Sequence, residues 1–398
     1  MKSTLFKCKH ILSAGCALGA VLLAGCAGAN SMEKPITLKT MGSLYFGGTV
    51  TKLDNGETFH GDHGYAQYFI PAKSRNYPLI MWHGIGQSGR SYESTPDGRE
   101  GFMAILPRRD WPVYIIDQPR RGRAGRTLDT KIINAIPTTM RESSAWNAFR
   151  NGIWDPPKAP YCYPGTQFPH DPASIDQFFR QQTPDTGAEP RTSDYYRFMG
   201  NTMAELLKQT GPAVLITHSN SGKYGWFSGM AAPESLKAIV AFEPGHIVLP
   251  ENEKVFDPPA GTEDAGRNMQ PIRVPEEEFR KLAKIPILIV YGDNIATEPS
   301  TIFNVNIWRL SSIRAKQFAD ALNRRGGDVR VIRLPELGIR GNTHAPFADR
   351  NNLEIADLLE RYLHEKGLDG RDRPHSGPAR KAVPQYTIPL QNANTQQE

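Results

Sequence analysis

The chain has 398 residues, 39% hydrophobic and 22% charged, which is ordinary globular composition and ample length for a large core. Residues 1–25 carry three Lys and no acid, so without them the formal charge falls from +6 to +3. With no basic stripe interleaved with aromatics, this argues against nucleic acid as a partner. Cys8, Cys16 and Cys26 lie near the N-terminus and Cys162 is left without a partner, so neither an intrachain disulfide nor a cysteine-built zinc site is expected.

Lys2, Lys7 and Lys9 form a positive segment ahead of an apolar run from Ile11 to Leu23. That run is too short to span a bilayer comfortably and reads as an export signal. It ends in Leu23-Ala24-Gly25-Cys26, which resembles a bacterial lipobox. The resemblance implies cleavage before Cys26, acylation of its thiol, and a lipid anchor in the cell envelope, facing the periplasm or the cell surface. The alternative is a plain secretory signal cut after Ala27 or Ala29. Residues 1–25 are thus expected as a lipoprotein signal and 26–35 as a tether.

From Ile36 to Leu53, apolar and polar residues alternate around Gly47-Gly48, predicting strands and a turn. Gly64–Pro71 reads as another strand. Leu79–Trp82 is a short apolar run, expected as a central buried strand, and opens into His83-Gly84-Ile85-Gly86. A helix-like stretch near Gly101–Leu106 leads to a strand at Pro112–Asp117, followed by Gln118-Pro119-Arg120-Arg121-Gly122-Arg123. Residues 128–190 are rich in Pro, Trp, Tyr and Asn with weak periodicity, too long for a structureless loop, and are expected to form an inserted lid with short helices such as Ala173–Gln182.

Ser193–Gln209 has helical spacing. Ala213–Ile216 is an apolar strand that breaks into Thr217-His218-Ser219-Asn220-Ser221-Gly222, and a helix can follow. Strand, tight turn with a central serine, helix is the layout of a nucleophile elbow, although Thr217 and Ser221 stand where glycine is usual. Further strands are expected at Leu236–Phe242, Ile287–Tyr291 and Val329–Leu334, and helices at Ser311–Arg324 and Leu353–Leu363. Residues 368–398 are polar and Pro-rich and read as a disordered tail. Strands alternating with helices predict an α/β fold with a mostly parallel sheet covered on both faces. The expected catalytic domain is 36–367, with its ligands beyond the carboxyl ends of the strands.

That rim carries the parts of an ester-cleaving site: nucleophile, base, orienting acid and oxyanion donors. Ser219 is the candidate nucleophile. His344, in the loop after the last strand, is the candidate base. His218 should point away from Ser219, and His83 should shape its loop. Two acids compete. Asp293 follows the Ile287–Tyr291 strand, whereas Glu243 ends the strand after the serine strand, between Phe242 and Pro244, where an unpaired carboxylate would be costly. The residue types alone leave both open. Oxyanion donors are expected from the backbone N–H groups of Asn220 and Ile85. No metal or organic cofactor is needed.

Trp82-His83-Gly84-Ile85-Gly86, Thr217–Gly222, Phe242-Glu243-Pro244-Gly245 and Asn342-Thr343-His344, in this order, resemble the α/β-hydrolase superfamily. Within it they are similar to a bacterial secreted esterase subgroup with a His-Ser-Gln-Ser-Gly-type elbow, an acid Glu on the next strand, and an Asp-Gln-Pro-x-Arg-Gly-Arg segment, here Asp117–Arg123. The resemblance covers roughly residues 36–365 and implies Glu243 rather than Asp293. It departs at Asn220, where Gln is expected, and at Ile85-Gly86, where some relatives carry a Cys pair. A serine esterase for small or cyclic-group esters is expected, with Trp146, Phe149, Trp154 and Tyr161 of the lid lining an aromatic pocket. The alternatives are an amidase, peptidase or lactonase using the same triad, or a non-catalytic envelope lipoprotein on a hydrolase scaffold.

Overall fold

The computed structural model describes residues 35–127, 136–182 and 187–379. The expected export signal, the acylation site Cys26 and nearly all of the tether lie outside the described residues. Eight strands form one sheet: β1 (Leu38–Lys52), β2 (Thr58–Pro71), β3 (Leu79–Trp82), β4 (Val113–Asp117), β5 (Ala213–His218), β6 (Leu236–Phe242), β7 (Ile287–Tyr291) and β8 (Val329–Arg333). Their spatial order is β1-β2-β4-β3-β5-β6-β7-β8. β2 pairs antiparallel with β1 and β4, and every other neighbour is parallel.

Strands β3, β4, β5 and β7 are buried at every residue, because both faces of the sheet are covered. The pleat sends alternate side chains to opposite layers. Ile80, Trp82, Leu215, Ile239 and Ile289 enter one core, with Met199, Met203 and Leu206 of α1 (Ser193–Thr210), Trp226 and Phe227 of α2 (Ser221–Ala231), and Phe318 of the long helix Phe303–Asn323. Leu79, Met81, Val214, Ile216 and Val290 enter the other, with Phe102 and Leu106 of Phe102–Arg108 and Ile355, Leu359 and Leu363 of Asn352–Glu365. Each layer buries apolar side chains worth about 1.5–3 kcal/mol apiece.

Three expectations are corrected. Gly47-Gly48 is no turn: β1 runs through it, pairing Gly47 with His63 and Thr49 with Gly61. Positive φ at both glycines bends the strand instead, and a Cβ on Gly47 would lie 2.8 Å from Thr202 Cγ2 on α1. The helix expected from Ser311 begins at Phe303, because Ile307, Trp308 and Leu310 carry its apolar face upstream. Past residue 368, where a tail is expected, the chain is still held: buried His375 meets Tyr114 Oη at 2.9 Å, and the Ala379 N–H donates to the Gln209 carbonyl.

Among its described residues the expected lid contains two short helices, Glu142–Ala148 and Pro172–Gln181, and a two-residue ribbon pairing Gly152–Ile153 with Tyr161–Cys162. It has its own small core of Ala145, Trp146, Phe149, Phe168 and Phe178. Asp171 caps the second helix by accepting from the N–H groups of Ala173 and Ser174, with Pro172 in the first turn.

Candidate active site

The site lies at the carboxyl ends of β3, β5, β6 and β7 and in the loop after β8. Ser219 follows β5 directly with φ +55°, the left-handed conformation of a tight strand-to-helix turn. Ser221 braces the turn: its hydroxyl accepts from the His218 N–H at 2.9 Å and lies 3.0 Å from the Trp82 carbonyl, an acceptor on β3. The bulk of Thr217 is accommodated one turn later, where a Cβ on Gly225 would meet Thr217 Cγ2 at 2.9 Å. A Cβ on Gly222 would meet Pro244 Cβ at 2.6 Å. The small residues needed for close helix–strand approach are therefore Gly222 and Gly225, displaced from the positions the elbow pattern leads one to inspect.

Glu243 ends β6 with φ +54° and is fully buried. Its Oε2 faces His344 Nδ1 at 3.3 Å and accepts from Arg150 Nη1 at 2.8 Å. Oε1 accepts from Arg150 Nη2 at 2.6 Å and from the Gly292 N–H. Burial pushes this carboxyl's pKa up, but the Arg150 charge and the His344 and Arg150 hydrogen bonds outweigh it and hold the group below the ordinary glutamate value.

His344 is 1% exposed. Its Nδ1 faces the carboxylate and so carries the proton, leaving Nε2 as the free base. The His344 N–H donates to the Phe149 carbonyl at 2.8 Å, and the Phe149 ring stands edge-on to the imidazole with centroids 5.1 Å apart. Trp308 packs on the ring at 3.9 Å. Burial lowers the imidazole pKa below 6.5, opposed by the hydrogen bond and charge of Glu243 and assisted by Arg150. Ser219 Oγ makes no hydrogen bond among the described residues. This is the one link of the chain left open, as is common in free enzymes.

Asp293 does not reach the imidazole. Its Oδ1 accepts from the Asn294 N–H and its Oδ2 from the Gly341 N–H, so it ties the turn after β7 to the His344 loop. His218 turns away from Ser219, with Nε2 2.9 Å from the His344 carbonyl and Nδ1 3.2 Å from Gln87 Oε1. His83 shapes its loop: Nδ1 meets the Gly84 carbonyl at 2.8 Å, and Nε2 accepts from the Gln118 N–H. The N–H groups of Ile85 and Asn220 find no acceptor among the described residues, as oxyanion donors require. Among the described residues no group of three His, Cys, Asp or Glu is arranged to hold a metal.

A second polar cluster flanks the elbow. Glu189 Oε1 accepts from Gln118 Nε2 and Arg121 Nη2, and Oε2 accepts from Tyr224 Oη and Asn220 Nδ2. Lys223 donates to Asn220 Oδ1 at 2.5 Å. Despite burial, the Arg121 and Lys223 charges bring the Glu189 pKa down to about 2, while burial lowers Lys223 to about 8. Asp117 accepts from Gly89 and Arg123 N–H groups and from Arg123 Nε, joining the loops after β3 and β4. The Asp117–Arg123 segment is thus scaffolding beside the nucleophile.

Of the lid aromatics expected in the pocket, only Phe149 reaches the triad. Trp146 is enclosed in the lid's own core, Trp154 packs edge-on against it, and Tyr161 is 54% exposed. Arg150, Trp308 and Glu189 were not expected at the site. They come from segments without a recognisable motif.

No protein-family model matches the chain. A curated protein named "Probable secreted lipase phiG", from Fungal sp. (strain ATCC 74256), is 27% identical over 337 residues, covering 76% of this chain and 86% of the relative. A solved structure described as a novel bacterial esterase is 29% identical, with a TM-score of 0.65, and covers 85% of this chain and 99% of that one. A CIB-like hydrolase from Thermoplasma acidophilum is far more distant, at 10% identity and a TM-score of 0.41. The chain has the α/β-hydrolase fold, and the secreted lipase and the bacterial esterase support a carboxylic ester hydrolase.

Proposed function

We propose that this carboxylic ester hydrolase works through an acyl-enzyme, with Ser219 as nucleophile, His344 as base and Glu243 as the orienting acid. The observation that carries the reading is the contact of buried Glu243 with His344 Nδ1 beside a serine held at φ +55°. Ser219 Oγ attacks the ester carbonyl as His344 Nε2 takes its proton. The N–H groups of Asn220 and Ile85 hold the oxyanion, and His344 returns the proton to the leaving alcohol. Water, deprotonated by the same Nε2, releases the acid. Phe149 and Trp308 give the base an apolar surround, which suits esters with small or cyclic hydrocarbon groups. We further infer export and lipid anchoring at Cys26, on the strength of Leu23-Ala24-Gly25-Cys26.

Intact-mass analysis after fluorophosphonate treatment tests the mechanism. One adduct is expected on the wild type, none on Ser219→Ala, and slow labelling in Glu243→Ala but not in Asp293→Ala. A folded wild type that takes no adduct overturns the reading. A panel of matched esters, amides and lactones then fixes the bond cleaved. Anchoring is read from incorporation of an alkyne fatty acid, expected to vanish in Cys26→Ala.

A further inference from the structure

Three non-glycine residues of this site adopt left-handed backbone: Ser219 at φ +55°, Glu243 at +54° and Arg150 at +54°. Each is a conformation that costs of order 1–3 kcal/mol and persists only where the surroundings enforce it. The first two are accounted for by the strand-end turns that aim nucleophile and acid. Arg150 closes the helix Glu142–Ala148: its own N–H donates to the Asn147 carbonyl and the Asn151 N–H to the Trp146 carbonyl, a helix-ending turn in which glycine is usual. It lies just beyond the helix Glu142–Ala148, in the inserted segment, and its guanidinium is buried against the catalytic acid.

We propose that Arg150 is a positioning residue for the reaction: it clamps both oxygens of Glu243, and it makes a competent site depend on the seating of the inserted segment. This rests on the Ser219–His344–Glu243 reading above. The clamp is bidentate, at 2.6 and 2.8 Å, while Arg150 Nε donates to the Asp293 carbonyl at 2.9 Å. A planar guanidinium engaged at three nitrogens fixes the plane of the carboxylate, which a lysine could not do. The bond from His344 to the same carboxylate, at 3.3 Å, is longer than either contact from Arg150. Arg150 therefore dictates where the carboxylate sits, and the imidazole adapts to it.

The segment is stitched to the base as well as the acid. The His344 N–H donates to the Phe149 carbonyl, the Gln167 N–H to the Gly341 carbonyl, and Trp308 Nε1 to the Ala148 carbonyl at 2.6 Å. Arg150 and Phe149 thus arrive at Glu243 and His344 together.

The clamp has an electrostatic consequence. A carboxylate that shares its charge with a buried cation stabilises an imidazolium less, so the base stays neutral to lower pH. The groups facing His344 are Glu243 from β6, Arg150 from the inserted segment, His218 from β5 and the Trp308 ring. Asp293 and Asp349 are engaged by the main chain of the His344 loop. Arg150 is the charge in this set that opposes a positive imidazole while touching its partner.

The test compares the full-length wild type in detergent with Arg150→Met, Arg150→Lys and Arg150→Ala. Rates on a p-nitrophenyl ester are measured from about pH 4.5 to 9 and normalised to sites titrated by fluorophosphonate. Arg150→Met is expected to lose on the order of 100-fold in kcat/KM through a misplaced acid, and its acid limb should move to higher pH. Arg150→Lys should keep the wild-type limb but recover only part of the rate. Guanidinium ion should restore Arg150→Ala more than ammonium does. If Arg150→Met does not fold, the Lys limb and the guanidinium rescue carry the same decision. Wild-type labelling at Ser219 with an unmoved limb, an undiminished rate per titrated site, or no selective rescue overturns the positioning role and leaves the triad standing. Absence of labelling on wild type overturns both.

Discussion

Glu243→Gln should destabilise the fold as well as stop the chemistry, and the structure says by how much. The substitution keeps the shape of the side chain but removes its charge and presents an amide NH2 to a guanidinium that is itself all donors. Arg150 is 3% exposed, so the orphaned cation cannot be rehydrated in place. Besides one neutral amide oxygen of the new Gln, its contacts are then the Asp293 carbonyl and the Trp308 ring, whose centroid is 5.7 Å from the guanidinium carbon. A cation over an aromatic face is worth about 0.5–2 kcal/mol, whereas breaking a buried pair by removing one partner costs about 3–5 kcal/mol. The net loss is then a few kcal/mol, a large share of the roughly 5–15 kcal/mol that typical domains possess. Replacing both members, in Arg150→Met with Glu243→Gln, removes the orphan. Urea unfolding at neutral pH, followed by tryptophan fluorescence, should therefore rank the double variant above Glu243→Gln alone. Activity should stay about 10⁴-fold down in both, since no anion then orients the base. A Glu243→Gln midpoint equal to wild type, or a double variant with the two losses simply added, would refute the reasoning.

Because burial, helped by Arg150, holds the His344 imidazole below 6.5, wild-type kcat/KM should keep its plateau as pH is lowered to 6.5 and fall only below that; an acid limb centred above 7 would contradict this. Burial also lowers His246 and His375 to about 4, so on unfolding each takes up a proton once pH falls below 6.5. Stability should decline from that point toward pH 4, by up to about 1.4 kcal/mol per pH unit for each proton. Asp349, raised to about 7, binds its proton in the folded state and opposes this trend, so Asp349→Asn should steepen the loss seen in urea titrations at several pH values. Gly225→Ala places a Cβ 2.9 Å from Thr217 Cγ2 and should cost about 1–3 kcal/mol in chemical denaturation. Adding Thr217→Ser, which removes that methyl group, should recover most of the loss.

What could be read from the chain divides along a physical line. Strands β3, β4, β5 and β7 were legible because burial on both faces leaves an unbroken apolar run. Ser219, Glu243 and His344 were legible because each directly follows, or lies in the loop after, such a run, and parallel sheets gather their functional groups there. Choosing Glu243 over Asp293 needed the resemblance, since both follow strands, and only the fold reveals that Asp293 spends its oxygens on main-chain N–H groups. Arg150 was illegible because its partner lies 93 residues away and its segment has no periodicity. The aromatics of that segment were misassigned for a related reason. An insertion that must bury a core of its own uses Trp146, Phe168 and Phe178 for that purpose before any can serve a ligand.

The two polar clusters beside Ser219 share one logic. On one side Arg150 fixes the carboxylate that orients the base. On the other, Glu189 and Lys223 grip opposite ends of the Asn220 amide, and Asn220 supplies one of the proposed oxyanion donors. Neither Arg150 nor Glu189 belongs to the sheet: both come from the segment inserted between β4 and α1. Electrostatic stabilisation of a transition state depends on dipoles and charges that are already aimed before the reaction starts. In the proposed site the sheet supplies the reacting groups, and the insertion supplies the charges that aim them. On the proposed mechanism the insertion belongs to the catalytic apparatus, and exchanging it for a generic loop would leave an intact Ser219, Glu243 and His344 without the clamps that hold the acid and the Asn220 side chain in place.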